Sequence, residues 1–216
     1  MMIKRNKILI KWLPVSIFII GILLLLSIKL VREQNDVNNN INFRLKTAAE
    51  TLDLIISDSL IEAANNKKNI NSIYYENLRN YVDKIASVHK VDYVYAVIEN
   101  HDSVYFALCN VLATDISKNI EIKYLDLFAE APAELKSAFN TNTDIIYCEN
   151  TNVWGNFRSA YIPKTTKSGF KYVLCSDVYV SEIYNKIWVT VIEFFISLLY
   201  VFIISFPIIK TYIRKY

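Results

Sequence analysis

Glycine is nearly absent from this sequence, with three in 216 residues. That scarcity leaves no Gly-rich loop to cradle phosphates, so nucleotide-loop enzymes are excluded. Histidine is limited to His89 and His101, isolated from each other in helix-end and turn contexts, where surface positions are the simpler account than metal ligation. There is no zinc-binding helix motif and no nucleophile elbow. The three cysteines, Cys109, Cys148 and Cys175, form no CxxC and no Cys/His cluster. An odd number leaves at least one free thiol. Each follows an apolar, strand-like stretch (FALC, IIYC, YVLC), which suits a small buried hydrophobe; one disulfide, with three pairings, stays open. Internal repeats and low-complexity linkers are also lacking. These absences point to a non-enzyme without cofactor or metal.

What the sequence does contain is two long apolar runs. Trp12 to Ile28 is broken by Pro14, Ser16, Gly21 and Ser27, and Ile187 to Ile209 carries a single charge, Glu193. A helix needs about 20 mostly apolar residues to cross a bilayer. The second run meets that outright, and the first does once Lys11 and Lys29 extend their charges to the interface. The expected division is a cytoplasmic terminus over 1–11, a first span over 12–31, a domain over 33–186, a second span over 187–209 and a cytoplasmic terminus over 210–216. The first run is longer than a signal-peptide core and lacks a small-residue cleavage site, so it reads as a retained anchor.

Charge sets the orientation. Lys4, Arg5, Lys7 and Lys11 precede the first run, and Lys210, Arg214 and Lys215 follow the second. Basic flanks stay cytoplasmic, which puts both termini inside and the 33–186 domain outside, against the weaker vote of Lys29 and Arg32. That domain holds 15 Lys and Arg against 20 Asp and Glu, a net −5, although the whole chain is +3. The basic excess lies in the membrane flanks, so nucleic-acid binding has no electrostatic basis.

Within the domain, Ile41, Leu45, Ala48, Leu52, Ile55, Leu60 and Ala63 recur at helical spacing. No proline or glycine separates them from the first run, so one long helix is expected to continue outward to about Asn65. A second helical pattern runs from Ile70 to Val88. The period then changes to strand character over Val91–Glu99 and Ser103–Val111, with turn residues Asn100, His101 and Asp102 between. Tyr124 to Phe139 reads as helical in parts, with Pro132 at a first-turn position, and Asp144–Cys148 as a short strand. Arg158–Pro163 and Phe170–Val180 form a second hairpin around Lys167–Gly169. Gly155 and Gly169 both fall at predicted turns, where positive φ is the expected need. Helices followed by consecutive hairpins give an α+β domain with an antiparallel sheet.

The order YVYAVIENHDSVYFAL, a Pro-Ala-Glu-Leu helix, WGNFRSAYIP and GFKYVLCSDVYVSEIY between two spans resembles the extracytoplasmic PAS-like sensor domains called Cache (PDC) domains of bacterial receptors. The resemblance covers most of 33–186. It implies a small-molecule pocket on one face of the sheet, roofed by the Pro132–Phe139 helix, for an amino acid, carboxylate or amine. It further implies ligand contact by Asp177 through an amine, by Arg158 through a carboxylate, and by Tyr161, Tyr95 and Trp154 as walls.

Each of these residues has a plainer alternative. Strand alternation sets Arg158, Ala160 and Ile162 opposite Ser159 and Tyr161, so Arg158 and Tyr161 cannot share a pocket on a regular strand. Arg158 can be a salt-bridged surface residue, Tyr161 simple core, and Asp177 an N-cap of the helix that follows. The hairpin turn at 100–103 lacks the glycine often found in the family, and the output domain that such receptors carry is expected on a separate chain. The expected role is therefore a ligand-binding sensor in the bacterial cytoplasmic membrane that signals to a separate cytoplasmic partner. A homodimer seam along Leu45, Ala48, Leu52 and Ile55 competes with packing of that stripe on the sheet. The alternatives are an envelope assembly protein that binds another protein, or a remnant of a longer receptor. Glu193, inside the second run, either contacts a partner or reaches the near interface.

Overall fold

The computed structural model describes residues 2–112, 115, 117, 122–141 and 143–215, with side chains from Ser16 onward except at 208, 209, 212, 213 and 215. Two compact units divide it, Asn39–Glu182 and the pair of segments Met1–Asn38 and Ile183–Tyr216.

The first helix, α1 (Met2–Asp53), enters the Asn39–Glu182 unit with Ile41, Leu45, Ala48, Ala49 and Leu52 fully buried. It lies on one face of the sheet. The Ser176 hydroxyl donates to the Leu45 carbonyl at 2.7 Å, Lys164 Nζ meets Asp53 at 2.8 Å, and the Tyr172 hydroxyl donates to Asp53 at 3.2 Å. Leu45, Ala48 and Leu52 of the stripe that offered itself as a dimer seam are thus core, covered by the sheet of their own chain, while Ile55 lies past the helix end and is half-buried. Helix α1 also ends earlier than its spacing suggested. The chain breaks after Asp53, and α2 (Asp58–Asn65) starts anew because the Ser57 side chain accepts from the Leu60 N–H. Helix α3 (Ser72–His89) begins in the same way at Asn71 and ends on Lys90 at φ +55°.

Five strands follow: β1 (Tyr93–Asn100), β2 (Ser103–Cys109), β3 (Ile146–Asn152), β4 (Gly155–Thr165) and β5 (Lys171–Tyr179). All pairs are antiparallel and the order is β2-β1-β5-β4-β3. The β1–β2 turn places His101 and Asp102 at φ +52° and +59°, a tight hairpin geometry usually given to Asn-Gly. A chain with so few glycines fills left-handed positions with other residues. Gly155 and Gly169 do have positive φ, as their turn placement implied.

Of Tyr124–Phe139, expected to be helical in parts, the first portion is not helical. Residues 125–128 return along the free edge of β2, with Leu125 N–H donating to Phe106 O and Phe128 N–H to Val104 O. Among the described residues of 122–141, Ala133–Ala138 forms the helix, α4. The edge pairing covers backbone groups that would otherwise be open to another strand and carries the Phe128 ring onto the sheet. There it joins the core of the second face with Tyr95, Phe106, Leu135, Phe139 and Phe157. Residues 113, 114, 116, 118–121 and 142 lie outside the described residues, and no expected element depended on them.

Strand β5 passes without interruption into α5 (Val180–Lys215). Among the described residues, Val180–Pro207 is the one helix long and apolar enough to cross a membrane, and only 6% of its most apolar window is buried. In α1, the run from Ile17 to Ile28 is also largely exposed, including Ile20 at 64% and Leu25 at 67%. Within this second unit, Phe18, Ile19 and Ile22 of α1 and Phe195, Leu199 and Phe202 of α5 line a shared apolar groove of about 390 Å³.

Candidate functional site

The site grows from the register of three strands. Tyr93 of β1 pairs with Asp177 of β5, which pairs with Ser159 of β4. One step along, Cys109, Tyr95, Cys175 and Tyr161 form a row across four strands. With side chains alternating between faces, Asp177, Tyr93, Tyr95 and Ser159 all project away from α1. The same row separates Cys109 from Cys175 by an intervening strand. Two strand spacings of ~4.8 Å put their Cα atoms beyond disulfide reach, and all three cysteines are free thiols.

Asp177 is 5% exposed and sits in the wall of a cavity of about 20 Å³. Around it stand the rings of Tyr93, Tyr95, Phe106, Phe128, Trp154 and Phe157. These rings brace one another: Phe106 stacks on Phe128 at 4.8 Å, and Trp154 meets Phe128 edge-on at 5.6 Å. Trp154 is held in place because Asn152 Oδ1 accepts its N–H at 2.9 Å. Gly155, beside it, has φ +146°, and a Cβ there would lie 2.9 Å from the Tyr179 ring. A glycine is therefore needed for the turn that presents the tryptophan.

Electrostatics single out Asp177. Burial raises its carboxyl from 3.8 to about 7; hydrogen bonds from Ser159 and Tyr95 pull the other way, and the nearby Asp92 adds a smaller upward push. Its Oδ1 is buried without a hydrogen-bond partner. A buried, unsatisfied acceptor is costly. The same group depends on no helix cap: β5 runs on to Tyr179, and α5 starts only at Val180. Asp92 accepts the Tyr179 N–H at 2.8 Å and donates its own N–H to the Asp177 carbonyl at 2.9 Å, fixing the exit of β5. Its carboxyl is raised, chiefly by burial.

The five residues singled out in the sequence separate into three groups. Asp177, Tyr95 and Trp154 come together at the cavity. Tyr161 shares their face but is fully buried beyond Ser159, with its hydroxyl 3.1 Å from the Asn150 amide, and it does not line the cavity. Arg158 projects to the opposite face, where its Nε donates to Asn42 Oδ1 at 3.2 Å and its guanidinium lies 3.6 Å from Glu149. Strand alternation alone separates it from the site. Missed in the sequence were the rings of Tyr93, Phe106, Phe128 and Phe157. Tyr93 and Phe106 carry a strand-face signal, whereas the placement of Phe128 depends on the 125–128 return, which has no periodic signature.

A larger groove of about 660 Å³ lies between α1 and the described residues 139–141 and 143–145, lined by Lys46, Glu50, Asp144, Lys164 and Lys171. Its charges are largely solvated or paired, as in Lys46–Glu50 at 3.7 Å. No buried group there calls for a ligand. His101 is exposed, whereas His89 is half-buried and bridges the Thr47 and Thr51 hydroxyls of α1 at 3.3 and 3.1 Å.

Comparison with family models and with curated proteins gives no match. Among solved structures, the chain is similar to the sensory domain of the Campylobacter jejuni chemoreceptor Tlp3 (CcmL) with isoleucine bound. That likeness has 17% identity and a TM-score of 0.33, covering 74% of this chain and 64% of that one, just under two thirds of its length. The ligand-binding domain of the same receptor in complex with L-valine gives 19% identity and a TM-score of 0.32, covering 74% and 65%. The GAF domain of A. aeolicus nlh2 in an inactive state gives 10% identity and 0.33, covering 63% and 89%.

Proposed function

We propose that this chain is a membrane-anchored sensor whose outer domain binds a small metabolite through a cationic nitrogen, an amino acid or an amine, held by Asp177. Two spans, 12–31 and 187–209, would anchor it in the bacterial cytoplasmic membrane with both termini inside. The signal would pass to a separate cytoplasmic partner through the helices that continue from the domain.

The observation that carries this reading is the buried Asp177 Oδ1 without a partner, facing a cavity walled by aromatic rings. Burying a carboxylate in apolar surroundings costs stability unless a charge or donor answers it. A ligand ammonium supplies both. A cavity of about 20 Å³ has room for roughly one water, so a metabolite enters only as the Trp154 and Phe128 rings move aside. Trp154 is well suited to that, since it sits on a turn and is only half-buried.

The test is a thermal-shift screen of the full chain in lipid nanodiscs against amino acids, organic acids, amines and nucleobases. A ligand that binds only the folded state adds ~2.7 kcal/mol of stability at a hundred times its dissociation constant. Stabilisation by a nitrogen cation that vanishes in Asp177→Asn supports the sensor. Stabilisation by an organic acid or nucleobase that survives the substitution defeats it.

One feature favours a second reading, in which the outer domain binds another protein. Helix α3 exposes Ile73, Tyr74, Tyr81 and Val88 on the side turned from the core. A screen without any hit, on a chain that melts cooperatively, would move the assignment there.

A further inference from the structure

The ligand-binding reading leaves the class of cation open, and the walls of the cavity narrow it. We infer that the Asp177 cavity takes an ammonium carrying an aromatic or alkyl body and no carboxylate, and that it rejects the corresponding α-amino acid. This inference rests on the sensor reading and deepens it.

Three observations carry the inference. First, Asp177 is the one ionisable carboxylate in the cavity wall, and among the described residues no lysine or arginine lines it. Second, none of the described arginines of the domain lines the cavity, and each has partners of its own, Arg79 behind the wall at Ile122. Arg158 meets Asn42 and Glu149 on the opposite face. Arg44 meets Glu182 at 2.7 Å. Arg79, whose charge is felt at Cys109, is occupied by the Ile122 carbonyl, Glu76 and the Tyr75 ring. Third, the surroundings are acidic. Asp115 is buried with the Tyr93 hydroxyl at 2.8 Å, and Asp92 accepts the N–H of Tyr179.

In an α-amino acid the carboxylate is separated from the nitrogen by a single carbon. With the nitrogen on Asp177, that carboxylate would enter a space with a like charge beside it and no described cation to meet it. Its desolvation would go uncompensated. The other polar side chains of the wall are uncharged: the Tyr93 hydroxyl donates to Asp115, the Tyr95 hydroxyl to Asp177, and Asn152, whose oxygen accepts the Trp154 N–H, offers a carboxylate only a neutral amide donor. Aromatic faces suit the remaining chemistry, since they attract a cation electrostatically and pack an apolar body. The selectivity therefore comes from an omission, the lack of a carboxylate partner, as much as from an attraction.

The experiment is isothermal titration of the full chain in nanodiscs at pH 8 with matched pairs: phenethylamine against phenylalanine, and isoamylamine against leucine. Asp177→Asn, which keeps the side-chain shape, is titrated in parallel and separates site binding from partition of an amine into the lipid. The expected result is saturable binding of at least one amine, roughly a hundredfold weaker binding of its amino acid, and loss of the amine signal in the variant. Equal or tighter binding of the amino acid, lost in Asp177→Asn, would overturn the carboxylate-free class and leave the sensor reading intact. Absence of Asp177-dependent binding for every member, on a cooperatively melting chain, would overturn both.

Discussion

If Asp177 is held for a ligand, its removal should make the folded domain more stable, and the gain should depend on pH in a direction fixed by its titration. Burial raises the carboxyl from 3.8 to about 7. Between those values the folded chain retains a proton that the unfolded chain has released, so stability falls as pH rises through the window and levels off above 7. At ~1.4 kcal/mol per unit, the whole displacement is worth about 4 kcal/mol, and the stretch between pH 5 and pH 7 about 3 kcal/mol. Asn in place of Asp stays neutral throughout and can keep the contacts with Ser159 and Tyr95. Measured as the difference in Tm between Asp177→Asn and the parent chain, the gap should widen by roughly 6–12 °C from pH 5 to pH 8, at 2–4 °C per kcal/mol. Other titrating groups are common to both proteins and cancel in the comparison. Fluorescence melts of the full chain in nanodiscs read the transition, with Trp154 reporting from the cavity wall. A gap that stays constant between pH 5 and pH 8, or narrows, would refute the claim that Asp177 is a buried carboxyl held against its preference.

The same titration predicts that amine affinity rises about tenfold from pH 6 to pH 8, because the ionised fraction of Asp177 grows from about a tenth to nearly all; titrations at both pH values, with a flat result in Asp177→Asn, check it. Arg158→Ala should leave ligand affinity unchanged and cost at most about 1 kcal/mol, since its partners Asn42 and Glu149 lie on the other face and the ion pair is part-exposed. Denaturant melts of Leu52→Ala should show a loss of about 3 kcal/mol from a fully buried position, whereas a seam between copies would instead make the loss depend on protein concentration. Gly155→Ala should destabilise the domain by about 2 kcal/mol through its φ of +146° and the approach to Tyr179, read as a lowered Tm.

Much of this fold was legible because its signals are local. The two hairpins follow from runs of β-branched and aromatic residues broken by turn chemistry, and the faces of β4 follow from alternation alone, which already divided Arg158 from Tyr161. The break after Asp53 was missed because the apolar spacing runs on through Ala63, and the Ser57 side chain that restarts the helix at Asp58 emerges only from the structure. What periodicity states is that a face is buried, without naming what buries it. The α1 stripe therefore fitted a partner copy and the sheet equally well until Ser176 was seen to reach the Leu45 carbonyl. The site was only half legible for a related reason. Asp177 and Tyr95 came from the resemblance and not from any periodicity, and Phe106 and Phe128 become walls only through the register of β1 with β2 and the return of residues 125–128 along that edge.

The position of Asp177 in the chain bears on how binding there would be felt elsewhere. Two residues separate it from the start of α5, and no loop intervenes to absorb a change. Asp92 grips the strand at both of those residues' ends, through the Asp177 carbonyl and the Tyr179 N–H. The Tyr179 ring in turn lies on Phe157, whose side chain belongs to the cavity wall. One turn further, Glu182 is held by both terminal nitrogens of Arg44 at 2.7 and 3.3 Å, and the Nε of the same guanidinium binds the His89 carbonyl at the end of α3. A single side chain of α1 thus ties the first turn of α5 to the end of α3. Under the sensor reading, a charge created at Asp177 acts on a strand end fixed by hydrogen bonds and on a helix start fixed by a bidentate ion pair. Within the Asn39–Glu182 unit, a shift of β5 would therefore be felt both at Arg44 of α1 and at Glu182 in the first turn of α5.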